Sequence, residues 1–167
     1  MHLFNISIIT MMLISLTSCI TNKCPEINLK KEAANTTGDN VVVSFSNETT
    51  TLLDIINTER ANRKLNKLME IPSLSCAAQN HSNDIGTRKA CTHTGRDGSS
   101  FVTRVKRCGY NLTSGGEIVA CGQTSPRAAV TAWLNSSGHR AIMLDPGQKY
   151  FGAGWKNNYW TVVFSKR

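Results

Sequence analysis

Residues Trp133–Leu144 read WLNSSGHRAIML. Just upstream, Ser125-Pro126 pairs a hydroxyl N-cap with a proline at the first helical turn, so a helix is expected over PRAAVTAWL. Gly138 stands where that helix should end, and His139 follows it beside Arg140. Taken alone, His139 is a turn residue after a helix terminus. Its other reading is half of a site whose remaining parts lie elsewhere in the chain.

Working outward, Thr50-Thr51 can cap a helix over TLLDIINTERANRKLNKL. Leu52, Leu53, Ile56 and Leu65 give it an apolar face, and Arg60, Arg63, Lys64 and Lys67 form a basic stripe read as solvated. Pro72-Ser73 opens a second helix, with Leu74, Ala77, Ala78, His81 and Ile85 roughly on one side. CTHTGRDGSS is a glycine-bearing loop. Ser99 or Ser100 then caps a third helix, FVTRVKRC, stopped by Gly109. GGEIVACG reads as a strand or extended loop. YFGAGWKNNYWTVVFSKR reads as two strands around a Lys-Asn-Asn turn, rich in aromatic and β-branched residues that suit sheet packing. Helices with an antiparallel hairpin predict an α+β layered domain.

The chain has 167 residues, of which 40% are hydrophobic and 18% charged, ordinary for one globular domain. MHLFNISIITMMLISLTSC carries no charged residue, and its apolar run has the length of a signal-peptide core rather than a membrane span. It closes on Leu16-Thr17-Ser18-Cys19, which resembles a bacterial lipobox with Cys19 as the lipid acceptor. The expected organisation is a lipoprotein-type signal over 1–18, a flexible Asn-, Thr- and Ser-rich tether over 19–48, and a folded domain over 49–167. Within the tether, Val41–Phe45 could add an edge strand. Of the remaining cysteines, Cys24 falls in the tether, while Cys76, Cys91, Cys108 and Cys121 can form two bridges, as suits an exported protein. No C-x-x-C occurs. Beyond residue 48, 16 Lys and Arg face 7 Asp and Glu, a net of +9. Such a domain is drawn to anionic surfaces such as lipid headgroups or acidic glycans, although the charge also serves solubility. Nucleic acid is not an expected partner, because no nucleic-acid motif is present.

Three places pair an ionisable residue with glycine-rich backbone: His93 in THTG, Glu117 in GGEI and His139 in SSGHR. Two imidazoles and a carboxylate suit a divalent ion such as zinc, or acid–base work near neutral pH. Each can equally be an ordinary loop residue. His81, on a helix among polar neighbours, reads as surface.

From about Leu52 onward the domain resembles the CAP superfamily of cysteine-rich secretory, antigen 5 and pathogenesis-related proteins, in its short bacterial branch. The resemblance is carried, in order, by NTER at Asn57–Arg60, LSCAAQNHSNDI, HTGRDGSSFVTRV at His93–Val105, Gly109-Tyr110, GGEIVACG, WLNSSGHRAIML, FGAG and YWTVVF. It implies a three-layer α-β-α sandwich with a central antiparallel sheet, and a cleft holding His93, His139 and Glu117. Two positions depart from the family pattern. Ile118 follows Glu117 where an asparagine is usual, and Ser136 stands where many relatives place a second glutamate. One carboxylate fewer weakens a zinc or magnesium site, so such a metal is possible but not required. The resemblance further suggests bridges Cys76–Cys91 and Cys108–Cys121.

The expected function is an extracytoplasmic, membrane-anchored and monomeric binding module for a lipid, glycan, peptide or partner surface. Neither G-x-S-x-G nor H-E-x-x-H is present, which argues against catalysis. The alternative is a metal-assisted hydrolase using His93, His139 and Glu117.

Overall fold

The computed structural model describes residues 47–167. The expected signal, Cys19, Cys24, Val41–Phe45 and nearly all of the expected tether lie outside the described residues. The elements run α1 (Asn47–Ala61), β1 (Met69–Glu70), α2 (Pro72–Arg88), α3 (Phe101–Arg107), β2 (Gly115–Cys121), α4 (Pro126–Asn135), α5 (Ser137–Met143), β3 (Tyr150–Lys156) and β4 (Tyr159–Ser165).

The sheet order is β1-β3-β4-β2. β3 and β4 form the expected hairpin, closed by Asn157 and Asn158, both at positive φ, and β2 adds antiparallel to β4. The short β1 pairs parallel to β3, so the sheet is mixed rather than wholly antiparallel. Side chains on a strand alternate between faces, and the two faces here collect different partners. Ile118, Ala120, Phe151, Ala153, Trp160, Val162 and Phe164 pack with Leu52 and Ile56 of α1, Val130 and Trp133 of α4, and Met143 of α5. Val163 faces the other way, onto Leu74, Ala77 and Ala78 of α2 and Val105 of α3. The result is the expected α-β-α sandwich, with β2 as an edge strand.

Gly152 and Gly154 set how close α2 lies to β3. A Cβ on Gly152 would fall 2.1 Å from the Leu74 carbonyl carbon, and one on Gly154 would fall 2.3 Å from the Gln79 amide nitrogen. Side chains there would lift the helix off the sheet.

Several sequence expectations change. α1 starts before Thr50-Thr51 and stops at Ala61, with Lys64 at positive φ in the turn beyond. Arg60 is fully buried rather than part of a solvated stripe. It follows Ile56 by one helical turn, and its guanidinium donates to the carbonyls of Asn66 (3.0 Å), Met143 (2.8 Å) and Asp145 (3.1 Å). Burial lowers its pKa, against the opposing pull of Asp145. Gly138 does not end a helix. α4 stops at Asn135, Ser136 is extended, and Gly138 lies inside α5.

The disulfides join Cys76 to Cys108 and Cys91 to Cys121, not neighbours in sequence. Cys76 lies near the start of α2 and Cys91 beyond its end. The twelve helical steps from Cys76 to Arg88, at about 1.5 Å each, put roughly 18 Å between Cys76 and the helix end, and the three residues from there to Cys91 cannot fold back into disulfide reach. Cys76 instead meets the end of the adjacent α3, with a Cα–Cα distance of 6.1 Å. Closing loops with separations of 32 and 30 residues stabilises by about 3.5 kcal/mol each in the loop-entropy picture.

Two measurements check this packing. Gly154→Ala should lower unfolding free energy in urea by about 1–3 kcal/mol, whereas Gly138→Ala, with open space around it, should be neutral or raise it by about 0.5–1 kcal/mol. Non-reducing peptide mapping should recover Cys76–Cys108 and Cys91–Cys121 peptides; Cys76–Cys91 peptides would contradict the packing of α2 on α3.

Candidate functional site

Because β2 is an edge strand, its α2/α3 face lies beside an open margin of the sheet, and Glu117 sits on that face. The Glu117 side chain is 2% exposed. A carboxylate so buried requires ionic or hydrogen-bonded partners, and it has them on both oxygens. Arg104 donates through Nη2 to Oε2 at 2.6 Å, and His93 Nδ1 lies 2.9 Å from Oε1. Arg104 also holds the loop, donating to the carbonyls of Ser99 (2.8 Å) and His93 (3.1 Å). Ser100 caps α3 by accepting from the Thr103 amide, and Cys91–Cys121 ties the loop's start to the end of β2. His93 is therefore fixed from three directions, yet its side chain remains 56% exposed.

His139 comes from the opposite layer, on α5, where Ile142 also packs against the Gly116 end of β2. It is half-buried and close enough to feel His93. The pKa values of the two imidazoles diverge. The hydrogen bond to Glu117 raises His93, while burial, then the charge on His93, lowers His139. At pH values between the two, His93 is charged while His139 is neutral. Ser136 lies in the hinge between α4 and α5 and makes no side-chain cap bond.

His93, Glu117 and His139 thus occupy one neighbourhood. Glu117 braces His93 from behind, because both its oxygens are engaged. Among the described residues no group of three or more His, Cys, Asp or Glu is placed to hold a metal ion. A divalent ion would have the two imidazoles as protein donors, with Glu117 orienting His93 as an outer-shell carboxylate does.

Two members of the site did not register as such in the sequence. His81, read as surface, is fully buried, with Nε2 donating to the Thr92 carbonyl at 2.9 Å and 3.9 Å from Glu117 Oε1. Burial lowers its pKa and keeps it neutral. Arg104 carried no reading of its own within the FVTRVKRC helix. Both positions carry a signal, since each shares a helical face with apolar neighbours: buried Ala77, Ala78 and Ile85 for His81, and partly buried Phe101 and buried Val105 for Arg104.

The divergence of the imidazoles can be read by NMR titration of the ring protons. His93 should titrate above an ordinary histidine and His139 below it, with Glu117→Gln bringing His93 down. A raised pKa on His93 favours the folded state at low pH, and that contribution is lost as pH rises through its folded value. The lowered pKa of His81 acts oppositely, withdrawing stability as pH falls through its unfolded value.

Residues 53–164 match the sequence model of the cysteine-rich secretory protein family, CAP. An uncharacterized protein, YkwD, of Bacillus subtilis is 30% identical over 115 residues, which are 68% of this chain and 45% of that protein. An uncharacterized membrane protein, YlbC, of the same organism is 30% identical over 116 residues, 70% of this chain and 34% of that one. The chain thus spans less than half the length of these relatives. Among solved structures, an extracellular SCP-domain protein of Bacillus anthracis superposes with a TM-score of 0.68 at 24% identity, covering 71% of this chain and 40% of that one. An outer surface protein of Borrelia burgdorferi gives 0.66 at 24% identity, covering 75% and 96%. These superpositions share the fold. With the family match spanning two-thirds of its length, the chain belongs to the CAP, or cysteine-rich secretory protein, family.

Proposed function

We propose that this protein is an exported, non-catalytic binding module whose His93–His139 cleft takes an anionic group from a lipid headgroup, acidic glycan or partner protein. The observation that carries this reading is the occupancy of Glu117. With one oxygen on Arg104, the other on His93 and its side chain only 2% exposed, this carboxylate is a brace rather than a general base. No hydrogen bond joins Ser136 or Ser137 to His139 among the described residues, so a serine nucleophile has no activating base. An exposed imidazole with a raised pKa, on a domain of net +9, favours an anion. Export is supported by two disulfides, which persist in oxidising compartments, and by the lipobox-like Leu16–Cys19. The module acts as a monomer, tethered to the membrane by lipid on Cys19.

The metal-assisted hydrolase is kept as a second reading for one reason. A carboxylate holding Nδ1 of a histidine is the arrangement that presents Nε2 to a metal. Zinc or magnesium would there polarise a bound water or carbonyl.

One experiment separates the two. Wild type, His139→Ala and Glu117→Gln proteins are measured for binding to anionic vesicles and heparin at pH values on either side of the His93 titration, and for turnover of a broad hydrolase substrate panel with and without zinc. Binding that strengthens at the lower pH and falls in both variants is expected. Zinc-dependent turnover lost in both variants would overturn the binding-module reading, and undiminished binding by both would place recognition elsewhere. The anchor has its own check: Cys19→Ser should move the protein out of the membrane fraction, and unchanged fractionation contradicts lipidation.

A further inference from the structure

We propose that the end of the sheet where β1 and β3 begin is a second interaction surface, which seats the domain on an anionic phospholipid bilayer. At that end Met69, Tyr150, Ser165 and Gly115 stand in one row across all four strands. Residues in register share a face, and this row is on the α2/α3 face, because its neighbours Leu68, Phe151 and Phe164 pack into the opposite core. α2 meets the sheet two residues further along β3, where Leu74 lies against Gly152. The end row therefore falls at the rim of that layer.

The rim is apolar and open. Met69 is 59% exposed, the most exposed large hydrophobic side chain among the described residues. Tyr150 beside it is partly exposed, as are Tyr110 and Leu112, which continue the strip toward β2. The Tyr110 hydroxyl lies 3.1 Å from Ser165 Oγ, and Leu112 Cδ1 would lie 3.2 Å from a Cβ on Gly115.

Basic residues frame the strip. Lys67 precedes β1, Lys149 directly precedes Tyr150, and Arg167 follows β4; all three are exposed, and none has a carboxylate partner among the described residues. The two carboxylates at this end are engaged, Asp145 with Lys166 at 2.7 Å and Glu70 with the Ser75 hydroxyl at 2.6 Å. Tyrosine rings favour headgroup depth, unpaired cations favour lipid phosphates, and long lysine stems let Met69 sit deeper than the ammonium groups. A protein partner is the poorer match, since lysine is depleted at protein interfaces. Docking of this kind is reversible and salt-sensitive by itself, so it orients a domain that another attachment keeps near the bilayer. Glu117 lies two residues along β2 from Gly115, about 7 Å, so this orientation brings the His93–His139 cleft toward the headgroups.

The test uses the full-length protein with nanodiscs of phosphatidylcholine, alone or mixed with phosphatidylglycerol, read by amide broadening from a gadolinium-chelate lipid. On the mixed discs the amides of Met69, Tyr150 and Leu112 should broaden most, and the pattern should fade at high salt. Lys67→Glu combined with Lys149→Glu should lower the ratio of docked to free protein at least tenfold, at roughly fivefold per lysine. Met69→Ser should lower it about fivefold. Amide spectra without discs check that both variants fold. The proposal is overturned by broadening that is even around the domain, by broadening confined to residues near His93 and His139, by the same pattern on phosphatidylcholine alone, or by an undiminished ratio in both variants. Shifts of these amides by soluble polyglutamate, with no docking on the mixed discs, would assign the surface to an acidic protein instead. Because these substitutions leave His93, Glu117 and His139 in place, failure here leaves the reading of the cleft standing.

Discussion

A carboxylate on the covered face of a strand is stable only if something replaces the water it lost, and Glu117 is held by two cationic or hydrogen-bonding partners from one segment of chain. Arg104 reaches it from α3 and His93 from the loop that precedes α3. Each of these also bonds to the other, through the His93 carbonyl. The three residues form one closed polar unit beneath an exposed imidazole. Breaking any member would leave a buried charge or an unpaired donor, which costs far more than the net value of an intact bond.

The scaffold is arranged around that unit. The glycines on β3 let α2 lie close to the sheet, which brings His81 against the Glu117 neighbourhood. Cys76–Cys108 fastens α3 along α2, and Cys91–Cys121 fastens the loop to the strand that carries Glu117. The two bridges interleave along the sequence, so neither segment can leave without straining the other. On the opposite layer, the short α5 sets His139 at the edge of β2. Supports on both sides therefore hold an exposed imidazole in place between them.

Much of this was legible beforehand, where local chemistry and tertiary context agreed. The hairpin, the Ser125-Pro126 start of α4 and the Ser100 cap of α3 follow from turn and capping chemistry. The trio of His93, Glu117 and His139 followed from motif order, which fixed their neighbourhood but not their roles. The misreadings share a cause. Arg60 and His81 are polar residues on apolar helical faces, where the period of the face outweighs side-chain type. The disulfide pairing failed similarly, since a helix over Pro72–Arg88 already forces Cys76 and Cys91 apart. What the sequence could not reveal is that both oxygens of Glu117 are occupied, because that depends on a 13-residue separation closing in space.

The account's central claim is that Arg104 and Glu117 act as one unit whose intactness fixes His93. A double-mutant cycle with Arg104→Met, Glu117→Gln and the combined variant, followed by urea unfolding, measures it directly. The account predicts that Arg104→Met alone, which strands a buried carboxylate, costs about 3–5 kcal/mol and that the double variant is less destabilised than the two singles summed. Losses that simply add would show that the two residues do not depend on each other, and would contradict the account.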